Sequence, residues 1–371
     1  MLPPAVADAI DPARVRRALV IKLRHHGDVL LTSPVFSALK RAVPHAEIDA
    51  LVYRETASML AGHPAISVLL TIDRSLKHQG IVAQARGEWR LWRALFRRRY
   101  DLVVHLTEHP RGAWLTRLVR ARYGVAPERD KAGRWWRAAF PHRYLAPRAT
   151  LRHTVEQNLD ALRRIGFWPE DADKALVLVP GADATARANS LLQAHGLARG
   201  GFVLVHPGSR WLFKCPPAAT TAALLDRLAA DGWPVVVTGA PDPAERALVA
   251  AIIGATGAPV VDLSGQLTLA ELAALIGAAR LFVGVDSAPM HMAAAMGTPV
   301  VALFGPSGEA EWGPWRVPHR VVASTQFSCR PCGNNGCGGS NRSDCLLTLP
   351  EARVSAAVAD LLAETSDPPR R

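Results

Sequence analysis

The sequence predicts an α/β protein made of two Rossmann-like domains facing each other across a cleft. Short apolar runs alternate with longer stretches whose apolar positions recur at helical spacing, the alternation that builds parallel sheets with right-handed crossovers. The alternation fills the first half, pauses at residues 166–201, which are rich in Gly, Pro, Ala and Asp, and then resumes. A length of 371 residues suits two domains, here drawn as 1–175 and 176–371 with 166–201 as the linker region.

Residues 18–23, Ala-Leu-Val-Ile-Lys-Leu, form the first expected strand. The polar loop Arg24-His-His-Gly-Asp28 follows. Apolar positions at Leu30, Leu31, Val35, Leu39 and Val43 then mark a helix that stops before Pro44. Further strands are expected at 48–53, 68–72 and 102–106. The second half gives a strand at 202–206, a helix at 218–231 closed by Gly232, and a strand at 234–238. A helix from about Pro243, a strand at 260–263, a helix at 269–277 and a strand at 281–285 continue it. A helix at 289–296 ending at Gly297 and a strand at 299–304 complete the pattern. The last helix is expected to pack back on the first domain, and the polar tail at 365–371 to fray.

Hydrophobic residues make up 49% of the chain and charged residues 20%, which excludes a disordered chain or a disulfide-stapled miniature domain. Residues 1–11 place no basic stretch before an apolar run, so no signal peptide is expected. The most membrane-like window, 287–308, is broken by Pro289, His291, Gly297, Pro299 and Pro306, whereas a spanning helix needs about 20 clean apolar residues.

Charge is unevenly spread. Residues 1–175 hold 30 Lys and Arg against 17 Asp and Glu, a net of +13; the remainder holds 14 against 15, a net of −1. One domain is therefore expected to meet a polyanion: nucleic acid, an acidic membrane surface or a phosphorylated glycan.

Three segments can carry chemistry. Asp28 follows the first strand, where open α/β sheets bind ligands. It is either a helix N-cap or a general base. In the second half, His206-Pro-Gly-Ser-Arg-Trp-Leu-Phe-Lys214 follows a strand directly. Gly208 and Ser209 let backbone approach an anion, and Arg210 and Lys214 add positive charge. The loop is not a Walker loop, and it can equally be a plain turn. The third segment runs Gly284-Val-Asp-Ser-Ala-Pro-Met-His-Met-Ala-Ala-Ala-Met-Gly297. Pro289 suits the first turn of a helix whose free amides form an anion site beside Ser287, with Asp286 able to accept from a sugar. His291 is either a cleft residue or a half-buried core histidine. Met290, Met292 and Met296 read as core.

Residues 21–34, Ile-Lys-Leu-Arg-His-His-Gly-Asp-Val-Leu-Leu-Thr-Ser-Pro, and the run from Val285 through Gly297 to Pro306 together resemble the ADP-heptose:lipopolysaccharide heptosyltransferases, glycosyltransferase family 9. The likeness is strongest to the heptosyltransferase III type and spans most of the chain, roughly 17–354. It implies a GT-B fold and an inverting, metal-independent transfer that requires no cofactor, with ADP-L-glycero-D-manno-heptose as donor. It also implies the lipopolysaccharide inner core as acceptor. By resemblance Asp28 is the base and Lys214 a diphosphate contact. Gly208 and Ser209 face the phosphates, Asp286, Ser287, Ala288 and His291 hold donor sugar and phosphate, Leu267 meets adenine and Glu245 the ribose. Ala288 departs from the family's usual Gly, which would matter if φ there were positive or the phosphate very close.

Cys329, Cys332, Cys337 and Cys345 give C-x2-C-x4-C-x7-C, with Cys215 apart; either a structural zinc or simple reduced thiols fits. Residues 86–99 and Arg134-Trp-Trp-Arg137 mix Arg with Trp, as do helices at anionic lipid or stacking surfaces for nucleic acid. The plainer alternative makes Trp89, Trp92, Leu95 and Phe96 a core face and the arginines a solvated one. Arg97, Arg98 and Arg99 are the expected acceptor or membrane contacts. The resulting expectation is a cytoplasmic glycosyltransferase, peripheral at the inner face of a bacterial inner membrane. Its rivals are a transferase of the same fold using another nucleotide-sugar, and a basic nucleic-acid-binding protein, for which no binding signature is present.

Overall fold

A computed structural model describes residues 6–129, 133–146 and 151–365; the tail expected to fray lies, beyond Thr365, outside them. The boundary between two compact units falls between Val179 and Pro180.

In the first unit, β1 (Arg17–Lys22), α1 (His26–Leu30), α2 (Ser33–Ala42), β2 (Glu47–Tyr53), β3 (Val68–Ile72) and α3 (Ile81–Arg98) come first. They are followed by β4 (Leu102–His105), α4 (Pro110–Val119), β5 (Tyr123–Pro127), α5 (Arg134–Ala139), β6 (His142–Tyr144) and α6 (Thr154–Arg163). The described strands pair in parallel in the order β3-β2-β1-β4-β5-β6. Leu19, Ile21, Leu51 and Val103 from the strands pack with Leu91 and Leu95 of α3 and Leu115 of α4.

The second unit adds α7 (Ala182–Ala194), β7 (Val203–His206), α8 (Ala218–Ala230), β8 (Val235–Val237), α9 (Pro243–Ala255) and β9 (Val260–Asp262). Then come α10 (Leu269–Ile276), β10 (Leu281–Val285), α11 (Ala288–Ala295), β11 (Val300–Phe304), α12 (Glu309–Trp312), β12 (His319–Ala323), α13 (Asp344–Leu347) and α14 (Glu351–Glu364). Its described strands run in parallel in the order β12-β11-β10-β7-β8-β9. Read from the β9 edge, this is the same 3-2-1-4-5-6 order as in the first unit, the Rossmann arrangement. Val205, Val235, Val283 and Val301 face Leu225 of α8 and Val354, Val358 and Leu361 of α14 in one core.

Several expectations need correction. The single helix expected after β1 is two. The buried Thr32 hydroxyl donates to Val29 O at 2.6 Å, and Pro34 lacks the N–H that would continue the ladder to Leu30. Residues 166–201 are not a bare linker, since α7 lies within them. Ala184, Ala188, Leu191 and Leu192 bury one stripe of it, and its alanines favour helix. Strands β5, β6 and β12 had no expected counterpart: β5 contains Gly124 and Pro127, β6 is three residues long, and β12 opens on His319 and Arg320.

On α3 the core face is Leu91 and Leu95, while Trp89 (59% exposed) and Phe96 (51%) point outward, so they do not form the expected core stripe. Arg98 is not a surface contact. Its Nε and Nη2 donate to Asp49 at 2.8 Å each, and Asp49 is fully buried and also accepts from the Tyr100 hydroxyl at 2.6 Å. Arg97 and Arg99 remain exposed.

Candidate functional site

In sheets of this order the strand sequence reverses between β1 and β4 and between β7 and β10, and ligands bind beyond the carboxyl ends of those strands. Most of the residues singled out from the sequence sit at these two places.

At the β7/β10 end of the second unit, Lys214 closes the short 3-10 turn Leu212–Lys214. Its Nζ lies 2.5 Å from Asp286 Oδ2, and the Asp286 side chain is almost wholly buried. Ser287 occupies the N-cap of α11, and its buried Oγ has no hydrogen-bond partner among the described residues. The first amides of a helix have no intrahelical acceptor and carry its positive dipole end. A cation, a buried hydroxyl and a helix start therefore share one spot, a combination suited to an anion such as a diphosphate. Ala288 is the first residue of α11 and is absent from the positive-φ residues, so its backbone carries no strain that a glycine would relieve. Met290 and Met292 are fully buried core and His291 is buried with them, one turn into the helix; Met296 is half-buried. Gly297, at φ +73°, ends α11 as expected.

The loop after β7 rests on Glu245. A Cβ at Gly208 would stand 2.5 Å from Glu245 Oε2, so a side chain there would require the Glu245 carboxylate to shift. Glu245 is buried on α9 and accepts from Ala240 N at 3.1 Å. Burial pushes its carboxyl upward, the Ala240 amide opposes this, and nearby Asp242 adds to it. His206 accompanies it, 2.9 Å from Thr238 Oγ1 and 3.8 Å from Glu245 Oε2. Burial holds the imidazole down at about 4, so it is neutral near pH 7 and the Glu245 contact is no ion pair. Ser209 is buried and its Oγ accepts from Trp211 N at 3.4 Å. Arg210 is exposed; its guanidinium lies 5.9 Å from the Trp211 ring and the Lys214 ammonium 5.1 Å. Leu267 is half-buried just before the Thr268–Glu271 capping box that opens α10.

At the β1/β4 end of the first unit, Asp28 lies in the first turn of α1 but does not cap it, since His25 holds the N-cap. The helix-cap reading therefore fails. The half-buried Asp28 carboxylate makes no hydrogen bond or ion pair among the described residues. Two residues here escaped the sequence reading. Lys22 is buried at the end of β1, and its Nζ donates to Leu106 O at 3.2 Å and to Asn158 Oδ1 at 3.1 Å. Burial brings its ammonium down to about 8, while Asp28 pulls it upward. Asn158 in turn donates to Leu31 O at 3.1 Å. The signal for Lys22 was a charge inside an apolar strand run; Asn158, far along the chain on α6, gave none.

Cys345 is buried, whereas Cys329, Cys332 and Cys337 are exposed. Cys337 Sγ accepts from Asp344 N at 3.4 Å. Among the described residues no group of three or more His, Cys, Asp or Glu is arranged to hold a metal, so the zinc reading finds no geometry to support it. Burial pushes the Cys215 thiol up to about 12, which leaves it unreactive.

Residues 88–342 match the family model described as glycosyltransferase family 9 (heptosyltransferase). The chain is 36% identical over 343 residues to lipopolysaccharide heptosyltransferase 3 of Escherichia coli, covering 92% of this chain and 97% of that one. Among solved structures, it resembles the glycosyltransferase family 9 protein of Veillonella parvula, at a TM-score of 0.79 and 23% identity, over 94% of this chain and 98% of that one. It also resembles the E. coli heptosyltransferase WaaC solved with ADP, at a TM-score of 0.71 and 19% identity, over 93% and 99% of the two chains.

Proposed function

The chain belongs to glycosyltransferase family 9, the heptosyltransferases, and on that premise we propose that it transfers L-glycero-D-manno-heptose from ADP-heptose to the inner core of lipopolysaccharide, adding the branching third heptose. The observation that carries the donor half is the meeting of Lys214, Asp286, the buried Ser287 hydroxyl and the start of α11 at the β7/β10 reversal. The acceptor assignment rests on the 36% identity to a lipopolysaccharide heptosyltransferase 3.

In this reading the second unit binds the nucleotide-sugar and the first unit the acceptor glycan. Asp28 takes the proton of the attacking hydroxyl, whose oxygen displaces ADP from the opposite face of the anomeric carbon and so inverts it. Lys214 and the free amides of α11 stabilise the charge that grows on the departing diphosphate, where such stabilisation contributes most to rate. Asp286, the α11 start and His291 hold the sugar-phosphate, with Leu267 at the adenine. Glu245 supports the Gly208 loop from beneath as well as lying near the expected ribose. No divalent cation or other cofactor is needed, because Lys214 and the helix start supply the positive charge.

The enzyme works on the cytoplasmic side of an anionic membrane, held there by the first unit. Support comes from exposed Arg97 and Arg99, from Trp89 and Phe96 turned outward on α3, and from Trp114 and Trp135, both exposed with ring centroids 4.5 Å apart. Among the described residues no helix is long and apolar enough to cross a membrane. The test is incubation with ADP-heptose and core-truncated lipopolysaccharides, with EDTA present, read by mass spectrometry. Addition of a single heptose to an acceptor that already carries two is expected. Transfer from UDP- or GDP-sugars instead would sink the donor assignment.

A further inference from the structure

Helix α3 carries two apolar faces, and the fold uses only one of them. Leu91 and Leu95 are buried in the core of the first unit. On another side of the helix Val82, Trp89 and Phe96 recur at steps of seven residues, and all three are exposed. Residues at that spacing lie about two turns apart on one face, so the three form a single ridge along the helix. Trp92 joins the two faces: it packs in part against the core, and its ring centre stands 5.8 Å from that of Phe96. An outward apolar ridge rimmed by charge marks a contact surface.

The rim is a second ridge. Arg86, Arg90, Arg93 and Arg97 follow one another at steps of four, three and four residues, the spacing that stacks side chains in one helical row. The Arg93 guanidinium lies 5.1 Å from the centre of the Trp89 ring, which sets the two ridges side by side. All four arginines are exposed and form no ion pair among the described residues. Glu88, the sole acid of α3, is taken by Arg111 of α4, and Arg98 is held by Glu47 and Asp49 of β2. These pairs bolt the helix to its neighbours and leave the outer face purely basic and apolar.

Charge decides what covers that face. A second copy of this chain would bring four more arginines to the interface and no free acid to meet them, an arrangement that like-charge repulsion disfavours. An anionic bilayer offers both halves of the match, an apolar boundary for the ring side chains and phosphates for the arginines. At 18 residues α3 is about 27 Å long. It is not apolar enough to cross a membrane, so it would lie in the plane of one.

We propose that α3 is the element that enters the membrane, lying flat in the surface of an anionic phospholipid bilayer. Val82, Trp89 and Phe96 reach the acyl boundary, and Arg86, Arg90, Arg93 and Arg97 meet the headgroup phosphates. This inference rests on the reading that the enzyme works at an anionic membrane, and goes beyond it by naming the inserted helix, its orientation and its depth.

The experiment sediments the full chain with vesicles of phosphatidylglycerol and phosphatidylethanolamine in equal parts, or of phosphatidylcholine alone. Wild type is compared with Trp89→Ala plus Phe96→Ala, with Arg86→Gln plus Arg90→Gln plus Arg93→Gln, with Trp89→Phe, and with Trp114→Ala plus Trp135→Ala. Thermal unfolding checks that each is folded. Wild type is expected to partition onto the anionic vesicles and weakly onto the neutral ones. Loss of Trp89 and Phe96 should weaken that partition by at least about ten-fold at low and high salt alike. Loss of the arginines should weaken it by about five-fold per residue at low salt, fading as salt rises. Trp89→Phe should still bind, yet lose much of the fluorescence quenching that lipids brominated on their acyl chains produce in wild type. Quenching unchanged by Trp89→Phe would put Trp89 outside the bilayer and overturn the insertion. Wild type that ignores anionic vesicles sinks the membrane reading and this inference with it. Wild type that binds, with both multiple α3 variants binding equally or with binding lost only in the Trp114 and Trp135 variant, overturns the role of α3 and leaves the membrane reading standing. A dimer in solution that the Trp89 and Phe96 changes split would assign the ridge to a second copy and overturn the proposal as well.

Discussion

Replacing Lys214 by Met separates what the Lys214–Asp286 pair does for folding from what it does for chemistry. Both side chains are largely buried, at 16% and 7% exposure, and their atoms meet at 2.5 Å. Removing one partner of a buried pair leaves the other charge without compensation, at a cost of about 3–5 kcal/mol. For a unit of this size each kcal/mol moves the melting temperature by roughly 2–4 °C, so a fall on the order of 10 °C is expected for Lys214→Met. Transfer should fall by about 10²–10³-fold, as when one preorganised donor is taken from a developing anion. The double variant Lys214→Met with Asp286→Leu removes both charges together, and swapping a buried pair for apolar groups is often close to neutral in stability.

The double variant should therefore recover most of the lost melting temperature while transfer stays lost. Differential scanning calorimetry and steady-state kinetics on the same three proteins are sufficient. A double variant that regained transfer along with stability would show the pair to be only a fold element. A single Lys214→Met enzyme that kept its turnover would remove Lys214 from the mechanism altogether.

Asp28→Asn should abolish transfer by about 10²–10⁴-fold and leave ADP affinity near wild type, since the base acts on the acceptor and not on the nucleotide; rapid quench and calorimetry check the two halves. Neutralising Arg97 and Arg99 should weaken sedimentation with anionic vesicles by about 1 kcal/mol per arginine, with the effect fading as salt rises. Arg98→Gln should instead lower the melting temperature, because it strands the fully buried Asp49. The buried His206 makes the second unit acid-sensitive. Its folded value near 4 lies below the ordinary 6.5, so the unfolded chain binds the proton first as pH falls. The stability tied to it is whole above about pH 6.5 and is lost progressively down to about 4, amounting to about 3 kcal/mol. His206→Gln should flatten the melting curve's dependence on pH across that window, and an unchanged slope would refute the assignment.

The doubly repeated strand-helix pattern was legible because the central strands of these sheets are covered on both faces and so read as continuous apolar runs. Val203–His206 and Leu281–Val285 are buried throughout, and both stood out in the sequence. Of the four described edge strands, β3 and β9 keep a short apolar run and were read, whereas β6 and β12 do not. His319–Ala323 opens on the exposed His319 and the half-buried Arg320, and His142–Tyr144 is only three residues long, with no aliphatic side chain among them. The α7 stripe was hidden by composition, since alanine marks a helix face far less sharply than leucine. Site residues that follow a strand directly, such as Asp28, Lys214 and Asp286, were accessible from position alone. The groups that support them were not. Glu245 lies beneath Gly208 from a helix more than thirty residues on, and Asn158 reaches Lys22 from 136 residues away. Contacts of that kind exist only after folding.

Net charge illustrates the same division. The +13 of the first 175 residues indicated a surplus of arginine over acid, and the structure shows how the acids are spent. Arg41 pairs with Glu170 and Asp173, Arg98 with Glu47 and Asp49, and Arg111 with Glu88. Arg143 pairs with Glu128, and Arg163 with Glu156 and Asp160. The Arg163 pairs lie within α6, and the others fasten different segments of the unit to one another. The excess must then reside on cations outside them, such as Arg97 and Arg99, which have no ion pair among the described residues. A run of three arginines thus holds one internal fastener between two surface charges, and only the neighbours in space distinguish them. In the proposed membrane contact, Arg97 and Arg99 would be the charges that meet the partner, whereas Arg98, held by Glu47 and Asp49, would act through the fold.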